Sequence, residues 1–221
     1  MQVEHCEFPD DVYLDVSNDG WIRGQPDGTA RVGITSVLSF LAGRFESLNV
    51  KRELSRVNRG QLVATIESPK HFAAVRAPVG GTIRRFNDSS VQDPKLINLS
   101  PYGDGWIVEL EQINGDDYKE LVRSTEASAS LLNRIQELNV HCFKKPPDED
   151  MYSIGLECSA TLVNLDDLLA RRPIGTVVHV VSDDPLSEIE MVRWADQREQ
   201  ILVESRQEDS LYHFLVEKKQ D

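Results

Sequence analysis

Ile66-Glu67-Ser68-Pro69-Lys70-His71-Phe72-Ala73-Ala74-Val75-Arg76-Ala77-Pro78-Val79-Gly80-Gly81 sets two strand-like runs on either side of a turn with a lysine at its tip. Leu62 to Ile66 and Phe72 to Val75 are apolar or β-branched runs of strand length. Between them, proline in the second turn position pre-sets φ, and serine in the first can bond the backbone. Lys70 is therefore expected to be exposed. Pro78 and Gly80-Gly81 stop the second strand, and Thr82 to Phe86 starts another, so the hairpin belongs to a larger β domain. Taken alone, this is also how an ordinary solvated surface lysine looks, and His71 beside it reads as a solvated turn residue that could tune access to the amine.

Motifs on both sides of the turn give it context. Gly20-Trp21-Ile22-Arg23, Gly28-Thr29-Ala30-Arg31-Val32-Gly33-Ile34-Thr35, Ala77-Pro78-Val79-Gly80-Gly81, Asp93-Pro94 with Leu96-Ile97-Asn98, and Pro101-Tyr102-Gly103-Asp104-Gly105-Trp106 occur in order around it. Over roughly residues 15 to 125 the chain resembles the H protein of the glycine cleavage system and its lipoate-binding relatives. The resemblance implies a flattened β-barrel or sandwich with a short C-terminal helix, and lipoate attached to Lys70 through an amide bond. It also implies Glu67 and Ser68 as recognition residues for the lipoate-attaching enzyme. Acylation removes the ammonium charge, and the dithiolane of such an arm carries groups or two electrons between separate active sites. Pro69, Leu99-Ser100 and the stretch Arg44 to Lys51 depart from the family pattern.

Composition narrows the function classes. Twenty-four basic against 37 acidic residues give a net charge of −13 over 221 residues, with no concentrated basic stripe, so nucleic acid and anionic membranes are not expected partners. Docking onto basic patches of larger enzymes is the reading that charge favours. No apolar run approaches the ~18 residues of a membrane span, the N-terminus is acidic, and a cytoplasmic location is expected. Cys6, Cys142 and Cys158 are too few and too scattered for a disulfide framework and have no metal spacing, so they are expected to be thiols. Cys6 falls in a terminus expected to be mobile, and Cys142 has no partner nearby in sequence.

Lys144-Lys145-Pro146-Pro147-Asp148-Glu149-Asp150 marks a boundary, since prolines and a charge run favour an extended linker. The expected division is a carrier domain over 1–140 ending in helices, a linker over 141–151 and a second domain over 152–221. Beyond the linker, a strand from Met151, a helical face of Leu162, Leu165, Leu168 and Leu169, a buried-type strand Thr176 to Val181, a helix Leu186 to Asp196 and a closing strand pair give the order β-α-β-α-β-β. The fold class is thus α+β in two domains, the second a two-layer sandwich.

This second half resembles the TusA sulfur-carrier family, through Gly155-Leu156-Glu157-Cys158, Gly175, Asp183-Asp184-Pro185, Trp194-Ala195 and the terminal hairpin ending Phe214 to Lys218. The resemblance implies Cys158 as a persulfide carrier at a strand-to-helix junction, where unpaired N–H groups favour thiolate. The family's Cys-Pro-x-Pro stands here as Cys158-Ser159-Ala160-Thr161, and Ser159 or Thr161 is available to cap the helix. A structural role for a small residue at a junction is the alternative reading of Cys158.

Three functional classes follow. The first is a lipoyl carrier in sulfur metabolism, a cofactor-bearing protein rather than an enzyme, working with dihydrolipoyl dehydrogenase and heterodisulfide-reductase-like enzymes. Dithiol and persulfide exchange sulfur by the same thiolate attack. The second is a glycine cleavage H protein passing an aminomethyl group between glycine cleavage enzymes. The third is an unmodified docking module.

Overall fold

The computed structural model describes residues 1–220 and divides into two units, Met1–Cys142 and Phe143–Asp221. The first contains β1 (Gln2–Val3), β2 (Cys6–Glu7), β3 (Tyr13–Asp15), β4 (Gly20–Gly24), β5 (Ala30–Ile34), α1 (Ser36–Ala42), β6 (Ser47–Val50), β7 (Arg56–Val57), β8 (Leu62–Glu67) and β9 (Phe72–Arg76). It continues through β10 (Gly81–Phe86), α2 (Asp88–Gln92), α3 (Lys95–Leu99), β11 (Val108–Glu111), β12 (Val122–Arg123) and α4 (Ser128–Leu138). A seven-stranded antiparallel sheet in the order β12-β3-β4-β5-β11-β10-β7 faces a three-stranded sheet, β6-β8-β9. Strand alternation sends Ile22, Val32 and Ile34 from the large sheet and Leu48, Val63, Ile66 and Val75 from the small one into one core. The H-protein-like β-sandwich expected from the sequence is the observed architecture.

The motifs are packing devices as well as signatures. A methyl carbon on Gly33 would lie 2.7 Å from the Trp21 ring, and one on Gly105 would lie 2.7 Å from Leu96 O and Ile97 Cα, so both close approaches demand glycine. Trp21 Nε1 donates to Pro101 O at 3.0 Å, and Ser36 N donates to the Tyr102 hydroxyl at 3.0 Å, joining β4, α1 and the loop before β11. Burial pushes the Tyr102 phenol far above its ordinary range. Buried Glu109 draws in Arg31, Arg84 and Arg85, the last in a two-pronged pair, which answers the desolvation cost of a carboxylate inside a sheet.

Behind the large sheet, α4 packs Leu131 and Ile135 with Val3, Phe8, Trp21 and Val37 into a second core. Arg134 on the same helix clamps Asp19 with Nη2 to Oδ2 at 2.7 Å and Nε to Oδ1 at 3.1 Å. The first domain was expected to end in helices; of these α4 is present, while the segment before it is a 3₁₀ turn, Gly115–Glu120, opened by Asn114 accepting from Asp116 N.

Two cysteines correct the sequence reading. Cys6 and Cys142 are joined in a disulfide and fully buried in that second core, whereas both were expected as unpaired thiols and Cys6 as part of a mobile terminus. The cause is the N-terminal hairpin β1-β2, in which Val3 pairs with Cys6 and carries it inward across a sequence separation of 136 residues. Such a pairing has no local signature.

The second unit contains β13 (Glu149–Ser153), α5 (Cys158–Ala170), β14 (Val177–Ser182), α6 (Ser187–Gln197), β15 (Ile201–Glu208) and β16 (Leu211–Glu217). The sheet order is β13-β14-β16-β15, with β13 parallel to β14 and the other pairs antiparallel. The β-α-β-α-β-β order read from the sequence is present, although β13 opens at Glu149, inside the stretch expected as linker. Leu165, Leu169, Val178, Val180, Met191, Trp194, Phe214 and Val216 make its core. On the other sheet face His179 Nδ1 lies 2.9 Å from Asp150 Oδ1, and its Nε2 lies 3.0 Å from His213 Nδ1. The ring of Phe143 covers His179 at 4.5 Å, and Arg206 lies 4.2 Å over that ring. No helix among the described residues is long and apolar enough to cross a membrane.

Candidate functional site

Lys70 occupies the tip of the β8-β9 hairpin, exposed, as its turn chemistry dictates. Strands β8 and β9 pair from Leu62 with Arg76 to Glu67 with Phe72, leaving Ser68-Pro69-Lys70-His71 as the turn. Ser68 organises it. Ser68 N donates to His71 O at 2.9 Å, and the hydroxyl oxygen accepts from His71 N at 2.9 Å and Lys70 N at 3.3 Å. Its own proton goes to Ala42 O at 2.7 Å, at the end of α1.

That helix end is braced in turn. Asn98 of α3 is buried, donates from Nδ2 to Gly43 O at 2.8 Å and to Ser39 Oγ at 3.1 Å, and accepts from Phe45 N at 2.9 Å through Oδ1. Gly43 has φ +70°, a backbone that favours glycine, and a methyl carbon there would sit 3.8 Å from Lys70 Cδ and 4.0 Å from Nζ. The lysine stem therefore passes over bare backbone. Glu67 is exposed on the strand before the turn, and Ser68 is half-buried beneath it. Of the two residues expected to serve recognition, Glu67 is displayed and Ser68 is engaged in holding the turn.

This geometry suits covalent attachment at an amine. The backbone under Lys70 is fixed at both strand ends and at α1, and the residue itself is exposed. Whatever is attached to Nζ moves on a flexible stem from a rigid base.

Cys158 lies in the other unit, as the first residue of α5, 4% exposed. Burial raises its pKa above the ordinary thiol range; Ser187 hydrogen bonding lowers it, and the nearby charges of Asp184 and Glu190 raise it further. The thiolate expected from a helix N-terminus is thus opposed by desolvation and two carboxylates. Neither Ser159 nor Thr161 caps α5. Asp184 performs that task from the loop before α6, its Oδ2 accepting from Cys158 N at 2.7 Å and its Oδ1 from Leu186 N at 2.9 Å. Asp183 Oδ1 likewise accepts from Gly155 N at 2.8 Å. Asp183-Asp184-Pro185 therefore ties the two helix-entry loops together.

Sequence reasoning left Asn98, Ala42 and Gly43 without roles at the lysine turn, because their contacts join segments far apart in the chain. It also passed over the Asp150-His179-His213 chain, whose only local trace is a histidine inside the apolar run Val177 to Val181.

The glycine cleavage H-protein family model matches residues 12–134, within the first unit. "Glycine cleavage system H protein 3" of Aquifex aeolicus is 35% identical over 147 residues, covering 65% of this chain and 91% of that protein. "Probable glycine cleavage system H protein 3" of Sulfurisphaera tokodaii is 39% identical over 120 residues, 54% of this chain and 85% of that protein. A crystal structure of a glycine cleavage system H protein from Mycobacterium marinum is 27% identical, covers 60% of this chain and all of its own, and aligns with a TM-score of 0.49.

Proposed function

From the premise that the chain belongs to the glycine cleavage H-protein family, whose members are carriers rather than enzymes, we propose that it is a lipoyl carrier with Lys70 as the attachment residue. The observation that carries this reading is the exposed amine of Lys70 on a turn clamped by Ser68 to Ala42. Lipoate, amide-linked there, supplies a dithiolane that accepts and releases groups or two electrons. The chain's own residues present it: Ser68 fixes the turn, Asn98 holds the end of α1, and Gly43 supplies the positive-φ backbone that ends that helix beside the stem. Glu67 is displayed toward the lipoate-attaching enzyme.

Within that role we assign the carrier to sulfur metabolism. What supports this is the second unit, whose β-α-β-α-β-β order and Gly155-Leu156-Glu157-Cys158 junction resemble the TusA sulfur carriers. Dihydrolipoyl dehydrogenase and heterodisulfide-reductase-like enzymes are the partners this reading requires. Three relatives in Aquifex aeolicus bear the numbers 2, 3 and 5, a multiplicity that suits carriers serving more than one system. For Cys158 to carry a persulfide, its loop must open, because the thiol is buried and protonated in the closed arrangement.

The second reading is glycine cleavage itself, with the arm carrying an aminomethyl group, and the family match favours it. The deciding experiment is intact mass and peptide mapping of the protein from its native host, with K70R alongside. Lipoyl mass on Lys70 in the wild type and its absence in K70R establishes the carrier. Sulfane sulfur on Cys158 favours the sulfur role, and methylamine loading from glycine favours the other. An unmodified Lys70 in cells that lipoylate other proteins defeats both.

A further inference from the structure

Among the described residues Phe72 is the sole exposed phenylalanine, at 62% exposure, and it lies two residues from Lys70. The fold does not need it there. On β9, Ala73 and Val75 point into the core while Phe72, Ala74 and Arg76 point out, so a polar residue at 72 would serve the strand equally well. Its surroundings leave the ring standing clear: Ser47, Thr65 and Ala74 on the same sheet face are small, and its cross-strand partner is exposed Glu67. A ring beside a carboxylate, on a floor of small side chains, is a pattern for insertion into an apolar recess flanked by a cation.

We infer that Phe72 is a recognition residue for the enzyme that acylates Lys70, and that this enzyme has an apolar slot for the ring next to a basic group for Glu67. The inference rests on the lipoyl-carrier reading. The choice of occupant follows from reach. Acylation starts from the ammonium, which gives up one proton to become the attacking amine; the Nζ–C bond forms, the bond from the acyl carbon to its activating leaving group breaks, and a second proton leaves as the amide N–H is set, with no oxidant or reductant. It takes place at the lysine itself, so the attaching enzyme must close over the turn and the adjoining strand positions.

The test uses the full chain and the native host's lipoate-attaching enzyme with lipoate and ATP. F72A is expected to raise KM about tenfold while kcat changes less than about twofold, and F72L, which keeps an apolar side chain, is expected to recover most of the loss. Binding of the same enzyme, measured directly on unmodifiable K70R, is expected to weaken about tenfold when F72A is added. Unchanged KM and binding in F72A, with the wild type readily lipoylated, overturn the role of Phe72 and leave the carrier reading intact. A wild type that takes no lipoate overturns the carrier reading, and the inference with it. Thermal unfolding of F72A is expected to match wild type, which separates recognition from folding.

Discussion

The Ser68 hydroxyl gives its proton to the carbonyl oxygen of Ala42, 2.7 Å away and 26 residues earlier in the chain. One side chain thereby fixes the turn that bears Lys70 and anchors it to a helix terminus, so turn stability and lysine presentation are coupled.

S68A is expected to cost about 1 kcal/mol, because the N–H groups of Lys70 and His71 lose their acceptor and Ala42 O loses its donor at a partly solvated site. S68T keeps the hydroxyl and should stay close to wild type. Denaturant midpoints test the stability difference. Hydrogen exchange at Lys70 and His71 amides should accelerate in S68A alone; equal exchange in all three proteins removes the coupling.

The Cys6–Cys142 bond closes a loop spanning almost the whole first unit. Chain entropy gives about 5 kcal/mol for a loop of this size, and native disulfides contribute 2–4 kcal/mol in typical cases. The C6S/C142S double variant should therefore lose about 3 kcal/mol from the first unit, seen as a lower melting temperature. Non-reducing thiol counting on the unfolded wild type should find one titratable cysteine, Cys158; three would exclude the bond.

Asp19 and Arg134 form a two-pronged pair in which the carboxylate is buried and the guanidinium is a quarter exposed. Removing the arginine leaves a buried charge without its counter-ion, whereas changing both partners removes the problem. R134M is expected to destabilise by about 2 kcal/mol after allowance for solvent at the arginine, and D19N/R134M by less than the sum of the single changes. Additive effects in this cycle would contradict the clamp.

Cys158 has its pKa raised above the ordinary thiol value, chiefly by burial. The folded chain thus favours the protonated thiol. The stabilisation this provides is complete below the ordinary thiol pKa and is lost as pH rises through the folded value. Alkylation by iodoacetamide at pH 8 should run about tenfold slower on the folded protein than on the unfolded chain, with its inflection displaced to higher pH. A rate equal to that of the unfolded chain would show a thiol already poised to react.

The lysine hairpin was legible because its causes are local: alternating strands, a proline at the second turn position and a serine at the first. The second unit was legible for the same reason, since Leu165 and Leu169 keep helical spacing and Val177 to Val181 form one apolar run. What stayed hidden joins distant segments. Nothing near Cys6 points to Cys142, and nothing near Ser68 points to Ala42. Ser159 and Thr161 are of a type able to cap α5, yet Asp184 supplies the cap from 26 residues away. Local propensity names residues able to cap a helix, while tertiary structure decides which carboxylate arrives first.

During synthesis Cys6 leaves the ribosome early and Cys142 is the last residue of the first unit, so their bond can form only after every strand of that sandwich has been made. The crosslink is then a seal set on a finished domain rather than a guide to its assembly. It also makes the carrier a covalent ring, so that a protease cut in any loop between these two cysteines leaves the pieces in one molecule until a reductant separates them.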